Sequence, residues 1–340
     1  MKKFFLICAG VLILMNCAEA APIIPSVNVE VGTAENPEQV ASTLQVIAVL
    51  TLVTLAPGIL MMTTSFVRIV VIIGFLRNAL ATQNVPPNQV IIALAMFLTF
   101  YIMAPYWSQA NDNGLQPYLA GQITQEEAIT NVLEPMREFM FRQTREADLA
   151  LFVNLADAER PETQEDVSTF VLIPAFMISE LKTAFQIGFM LYVPFIVIDM
   201  IVATTLMSMG MMMLPPVMIS LPFKILLFVM IDGWHLLIRS IIVSFRWRGC
   251  AMSGDLVIQL GQEALMIVLI VSAPMLGLGL AVGLAVSVFQ ATTSIQEQTL
   301  AFIPKIIAVF VAILIFGPWM LRIMVEFFSG IFIGLPARIG

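Results

Sequence analysis

The stretch Met207-Ser-Met-Gly-Met-Met-Met-Leu-Pro-Pro216 decides the fold of this chain, because it separates two long apolar segments. Five of its first seven residues are methionine, an unbranched side chain that fills irregular apolar gaps. The proline pair lacks the backbone N–H groups that a helix interior needs. Irregular backbone at membrane depth is tolerated only where it is buried in protein or lines a cavity. The stretch therefore predicts a non-helical loop facing a pore or an interface; the alternative is that methionine merely replaces leucine there.

The composition places the flanking segments in a membrane. Hydrophobic residues make up 59% of the 340 and charged residues 11%, and the mean hydropathy is +0.95. Several runs exceed the ~18 apolar residues that indicate a membrane-spanning helix. The chain is therefore predicted to be an all-α, polytopic helical membrane protein. Its net charge of −7, without a basic stripe, excludes nucleic acid as an expected partner.

Residues 1–20 have the pattern of a secretory signal peptide. Lys2 and Lys3 precede an apolar run, and Ala18-Glu-Ala20 supplies small residues for cleavage. Lipidation of Cys17 is a weaker alternative, because asparagine is a poor residue directly before a lipidated cysteine. The signal predicts that the mature protein begins outside the cytoplasm.

Few residues of this chain are suited to catalysis or metal binding. Cleavage of the signal leaves Cys250 as the one cysteine, and His235 is the one histidine. A hydrolase would have to be built on Ser220 and His235, and no cluster has metal-ligand spacing. We therefore expect no enzyme activity, no catalytic residues, no metal and no cofactor.

The first long apolar segment is too long for one straight span. A helix over Val46–Leu76 would measure roughly 46 Å, against ~30 Å of hydrocarbon. A bend at Pro57 is the predicted solution. Arg68 and Arg77 follow, and the positive-inside rule places that end in the cytoplasm.

Residues 108–168 are the polar part of the chain. They hold twelve acidic residues against four arginines. Thr124-Gln-Glu-Glu127 has the pattern of a helix start. The segment is predicted to be a periplasmic acidic loop region with helices, and its carboxylates to form a solvated face and no catalytic pair.

The remainder continues the pattern of bent, overlong helices. Thr169–Val202 again exceeds one span, and Val217–Phe245 follows the Met-rich stretch. After a short linker, residues 246–251, the chain restarts at Met252. Two apolar segments and a polar turn then predict a helical hairpin over residues 252–340.

Four motifs stand out in residues 44–107 and 169–245: Pro86-Pro-Asn-Gln89, Met209-Gly-Met-Met-Met-Leu-Pro-Pro216, Ile219-Ser-Leu-Pro-Phe-Lys224 and Asp232-Gly-Trp234. Through these motifs the two stretches resemble the FliP family of the flagellar type III export gate. Residues 252–340 resemble the partner family FliQ through Phe289-Gln-Ala-Thr-Thr293, Ile295-Gln-Glu-Gln-Thr-Leu300, Phe302-Ile-Pro-Lys305 and Phe316-Gly-Pro-Trp-Met-Leu321.

The resemblance implies a protein-conducting pore in the bacterial inner membrane, within the flagellar basal body and with a periplasmic portion. It implies assembly with further copies of the chain and a FliR-like subunit, in contact with membrane lipid, for the export of unfolded flagellar proteins. It also implies that the Met-rich loop is an apolar pore gasket, which we assign to Met207, Met209, Met211, Met212 and Met213. These families normally form two chains, so a true gene fusion and a read-through product are both open.

Charges inside the apolar segments predict contacts between subunits. Glu180, Lys224 and Lys305 each lie too deep in such a segment for full hydration. We expect Glu180 to pair with Lys305, with Lys224 as a second candidate partner. The charges Glu180, Lys224 and Asp232 suggest the rival functions of a secondary transporter or ion channel; an injectisome-type gate subunit is the nearer alternative.

Overall fold

The computed structural model describes residues 37–82, 84–156, 163–211, 213–246, 254–293 and 298–339. These residues form helices and their connections, with no strand among them. The predicted signal peptide lies outside them, as do Met212 and all of the predicted linker except Arg246. The all-α prediction is confirmed for the described part of the chain.

The helices follow one another with short connections. In chain order they are α1 (Pro37–Thr63), α2 (Phe66–Ala79), α3 (Asn88–Ala110), α4 (Gln116–Leu119), α5 (Gln125–Gln143), α6 (Glu146–Leu155), α7 (Thr169–Ser208), α8 (Pro216–Met230), α9 (Gly233–Ser244), α10 (Gly254–Thr293) and α11 (Gln298–Ile339). A π-helical segment, Asn111–Leu115, joins α3 to α4.

Five of the described helices are long and apolar enough to cross a membrane, and a bent pair of helices brings the number to as many as six. The five stretches are Leu44–Thr63, Asn88–Leu119, Thr169–Ser208, Asp255–Thr293 and Ala301–Gly334. Helices α7 and α11 have 40 and 42 residues. At 1.5 Å per residue each is about 60 Å long, twice the hydrocarbon thickness, so the prediction of overlong helices is confirmed.

The chain divides into two compact units, Met1–Leu55 and Ala56–Gly340. The described part of the first unit is helical and belongs to α1. In the second unit α7 is the central helix, since α2, α5, α6, α8, α10 and α11 all contact it. Its buried face carries large apolar side chains, among them Leu172, Phe176, Leu191 and Phe195. Burial of each such side chain stabilises the fold by roughly 1.5–3 kcal/mol.

Two helix interruptions lie at positions that the sequence did not predict. Helix α1 continues through Pro57, and the break lies at Thr64 and Ser65, directly before α2. The segment predicted over Val217–Phe245 is divided into α8 and α9, which meet at 67°. Asp232 adopts a left-handed conformation at that corner, which aspartate tolerates better than most residues.

The C-terminal hairpin packs on the helices that precede it. Helices α10 and α11 contact each other along their length, and both contact α7. Ser240 donates a hydrogen bond to the carbonyl oxygen of Phe332 (3.0 Å), and Phe328 is in edge-to-face contact with Phe195. The predicted two-helix hairpin is confirmed in its described residues.

Candidate functional site: the Met-rich loop and the buried charges

The Met-rich loop begins with a defined helix end. Helix α7 ends at Ser208, and Gly210 follows with φ = +80°, a conformation that glycine adopts without a Cβ clash. The Gly210 amide donates to the Met207 carbonyl, and the Met211 amide donates to the Leu206 carbonyl, both at 3.0 Å. This is the Schellman arrangement that terminates helices at glycine. The prediction of a non-helical connection is confirmed.

The loop and the helix end before it present methionine side chains at the surface of the chain. Met213 in the loop is 100% exposed, and Met207 in the last turn of α7 is 56% exposed. Met209 and Met211 are half-buried, and Met209 packs against the core. One end of the loop is therefore anchored, while Met213 has no protein packing in the described structure. The gasket assignment of these residues stays a prediction.

The turn end of the hairpin lies beside this loop. A Cβ added at Gly210 would be 3.8 Å from the Phe302 ring of α11. A Cβ added at Gly279 of α10 would be 3.6 Å from Val309 and 4.0 Å from the Ser208 hydroxyl. The loop is thus flanked by residues from both halves of the chain.

A buried ion pair joins α2 to α7. The Arg68 guanidinium binds both carboxylate oxygens of Glu180; the Nε–Oε2 distance is 2.8 Å, and the second contact joins Nη2 to Oε1. The side chains are 1% and 0% exposed. A bidentate guanidinium–carboxylate pair has the geometry that a buried pair needs to offset its desolvation.

Arg68 has further partners, which tie together four helices. Its Nη2 donates to the Gln143 side-chain oxygen at 2.9 Å, and its Nη1 donates to the Ser244 carbonyl at 3.2 Å. The Gln143 amide donates to the Phe245 carbonyl at 3.0 Å, and the guanidinium carbon lies 4.0 Å from the centre of the Phe245 ring. The ends of α5 and α9 are therefore fixed to the α2–α7 pair.

This arrangement corrects two interpretations of the sequence. Glu180 does need a cation, but Arg68 of the same chain supplies it, and neither Lys305 nor Lys224 does. The positive-inside rule uses Arg68 as an indicator of the cytoplasmic side, but Arg68 is fully buried and paired, so this residue does not support that orientation. The sequence does contain a signal for this pair, because Arg68 and Glu180 are opposite charges that each lie inside an apolar segment. The spacing of residues along the helices, however, does not distinguish Arg68 from Lys224 or Lys305 as the partner of Glu180.

Lys224 is also paired within the chain. Its ammonium lies 2.7 Å from the Asp199 carboxylate and donates to the Ala79 carbonyl at 3.2 Å. Ser220 donates a 2.5 Å hydrogen bond to the other oxygen of Asp199. The pair links α8 to α7 and to the end of α2. The Ser220 hydroxyl therefore binds Asp199, while His235, the other candidate for a hydrolase, is exposed on α9.

Lys305 differs from the other two predicted charges. Its side chain crosses Gly283 of α10, where an added Cβ would be only 2.4 Å from the lysine Cε. Among the described residues no carboxylate is within ion-pair distance of its ammonium. Of the three charges assigned to subunit contacts, Lys305 is the one whose assignment stays a prediction.

A second polar cluster attaches α6 to α7 outside the buried pair. Asp148 accepts a hydrogen bond from Ser179 (2.8 Å) and one from Lys182, and it is 2% exposed. Burial alone would raise the pKa of Asp148, but the bonds from Lys182 and Ser179 and the positive charge nearby outweigh it and hold this pKa below its usual value.

Thr124 and Glu127 form the reciprocal capping hydrogen bonds at the start of α5, so the predicted helix start is confirmed.

These features define a class: a polytopic helical membrane protein with charges neutralised inside its core and an exposed Met-rich loop between α7 and α8. The FliP family model matches residues 49–241, and the model named Bacterial export proteins, family 3, the FliQ family, matches residues 256–329. The chain belongs to the FliP family, and its C-terminal region carries a domain of the second family.

Proteins similar to the first part of the chain come from distant bacteria. The flagellar biosynthetic protein FliP of Bacillus subtilis (strain 168) is 54% identical over 217 residues, which are 64% of this chain and 98% of that protein. The protein of the same name from Caulobacter vibrioides is 47% identical over 240 residues, covering 70% and 90%. That of Aquifex aeolicus is 44% identical over 225 residues, covering 66% and 92%.

Proposed function

We propose that this protein is a subunit of the flagellar type III export gate in the bacterial inner membrane, and that its Met-rich loop seals the pore. The observation that carries the sealing role is the exposure of Met213 in the non-helical segment between α7 and α8, together with that of Met207 in the last turn of α7. The names of the relatives, flagellar biosynthetic protein FliP, support the flagellar assignment over an injectisome gate.

The chemistry of the loop suits a deformable seal. Apolar constrictions stop ions by excluding water. Thioether side chains change conformation at low cost, so a methionine seal can close on itself and still adapt to a passing polypeptide. The anchored residues Met209 and Met211 hold the loop at the end of α7, while Met213 stays free to move.

The assembly follows from the same proposal. Further copies of this chain, together with a FliR-like subunit, surround the pore, and unfolded flagellar proteins pass through it. Broad apolar surfaces of α10 and α11 contact lipid or neighbouring subunits, and Lys305 contributes a positive charge to a contact between subunits. The signal peptide is residues 1–20 and the FliP-like unit residues 21–245. Residues 108–168 lie in the periplasm, and residues 252–340 are the FliQ-like hairpin.

The sealing role is tested by replacing Met209, Met211, Met212 and Met213 with alanine. The variant loses apolar volume that the Pro-Pro turn cannot replace, so water and ions enter. We expect higher ion leakage in cells that assemble the variant gate. The relative decrease in protein export should be smaller than the relative increase in ion leakage. Unchanged conductance would show that these methionines do not seal the pore.

The linker, residues 246–251, is proposed to have no role in export. The hairpin is held to the preceding helices by contacts such as Ser240 with Phe332 and Phe195 with Phe328, which do not need a covalent link. Splitting the gene so that translation restarts at Met252 should therefore preserve motility. Loss of motility with both halves at normal levels would show that covalent linkage matters.

The structure weakens the observation behind the rival transporter and ion-channel functions. That observation was the presence of charges inside the apolar segments. Two of them, Glu180 and Lys224, now have partners in the same chain and hold helices together. They therefore do not call for an ion pathway.

A further inference from the structure

Methionines of this chain occupy sharply different environments. Met213 of the loop is 100% exposed, and Met207, in the last turn of α7 beside it, is 56% exposed. In the core, Met103, Met190 and Met140 are between 0% and 2% exposed. A thioether is oxidised to a sulfoxide only where an oxidant reaches the sulfur, so the two groups differ in their access to oxidants.

Met213 and Met207 also differ in position from exposed methionines in the middle of the membrane-spanning helices. Met96 and Met266 are 42% and 57% exposed, but they lie on the apolar surfaces of α3 and α10. Met213 lies in a non-helical segment between α7 and α8, where irregular backbone has to face protein or water rather than lipid. Met207 lies in the last turn of α7, at the edge of that segment. A water-soluble oxidant therefore reaches the loop more readily than the lipid-facing methionines.

We propose that Met207 and Met213 form an oxidation site, and that their conversion to methionine sulfoxide by a peroxide loosens the loop as a seal. In this step the peroxide transfers one oxygen to the thioether sulfur and forms an S=O bond. The O–O bond of hydrogen peroxide breaks, the sulfur is oxidised, and the peroxide is reduced to water.

The product has the opposite character to the residue it replaces. A sulfoxide is polar and chiral and accepts strong hydrogen bonds, whereas the thioether is apolar and flexible. A constriction that excludes water because it is apolar becomes wet when polar groups enter it. Methionine sulfoxide reductases reverse the change, so the modification can be undone. The loosening of the seal rests on the proposed sealing role, whereas the oxidation of the methionines rests on their exposure and position.

The first test is chemical and uses the full chain in its membrane. The membranes are treated with hydrogen peroxide, and the sulfoxide content of each methionine peptide is measured by mass spectrometry over time. We expect Met213 and Met207 to be oxidised several-fold faster than Met103, Met140 and Met190. Equal rates in the two groups, or oxidation confined to the lipid-facing Met96 and Met266, would overturn the proposal.

The second test is functional and uses the assembled gate in a planar bilayer. Peroxide should at least double the ion conductance of the wild type, and sulfoxide reductase should reverse the increase. In the variant Met207→Leu with Met213→Leu, which keeps apolar volume but has no sulfur to oxidise, most of the response should be lost. The matched control Met96→Leu with Met266→Leu should respond like the wild type.

The outcomes separate the two proposals. If the loop methionines are oxidised and conductance does not change, the sealing role fails together with the oxidation switch. If they are not oxidised while the alanine variant leaks ions, the sealing role stands and the oxidation site is wrong. A response in the leucine variant equal to that of the wild type also overturns the assignment to Met207 and Met213.

Discussion

The Arg68 site and the Met-rich loop are both exceptions to the regular apolar helices of this protein, but they differ in burial and in packing. At the Arg68 site both charged groups are fully buried, Arg68 binds Glu180 through two hydrogen bonds, and it also binds Gln143 and Ser244, so the site has one arrangement. In the loop, the Met213 side chain is 100% exposed and has no packing in the described chain. The comparison indicates that rigidity is concentrated in the polar core, while the segment proposed to adapt to a substrate is soft and apolar.

A single substitution in the Arg68 site should have the largest effect. Glu180→Ala leaves a buried guanidinium without its carboxylate, and removal of one partner of a buried pair costs about 3–5 kcal/mol. We expect the variant to be lost from the assembled complex, as measured by its yield after purification from membranes. Arg68→Met combined with Glu180→Leu should recover part of the yield, because no charge is then stranded.

An intact, fully exporting Glu180→Ala complex would contradict this view of the site. Lys305→Ala provides the matched comparison, since Lys305 has no ion-pair partner among the described residues. If Glu180→Ala and Lys305→Ala cause equal losses that a charge swap between them repairs, then the two residues interact in the assembly after all.

The Asp148 cluster should show a smaller, pH-dependent effect. Its pKa is lower in the folded protein than in the unfolded chain, so the carboxylate stabilises the fold above the usual aspartate pKa of 3.8 and loses this contribution as the pH falls below that value. Lys182 is half exposed, which limits the contribution to about 1 kcal/mol. The melting temperature of the wild type should therefore exceed that of Asp148→Asn at neutral pH, and the difference should shrink towards pH 3.

The smallest effect on stability is expected in the loop itself. Met213→Ala removes a side chain that is 100% exposed, so no packed contact is lost. We expect the melting temperature in detergent to stay within error of the wild type, while Met190→Ala, at a buried position, lowers it by several degrees. A comparable loss for Met213→Ala would mean that the loop is packed in the purified protein and is not soft.

Sequence by itself determined the features that depend on composition and local pattern. The apolar runs predicted the helices, the Thr124–Glu127 pattern predicted the start of α5, and Gly210 with the Pro-Pro pair predicted the loop. Each follows from interactions between residues close in the chain, such as capping bonds, proline geometry and the burial of apolar stretches.

Only the tertiary structure decided which charges meet. Arg68 and Glu180 are 112 residues apart, and Lys224 and Asp199 lie on different helices, so no local pattern distinguishes their pairing from the pairing with Lys305. The tertiary structure also decided where the helices are interrupted. The interruptions lie at Thr64–Ser65 and at Asp232, and not at Pro57. The physical reason is that a buried charge selects its partner through desolvation, geometry and neighbouring hydrogen bonds, which exist only after the helices have packed.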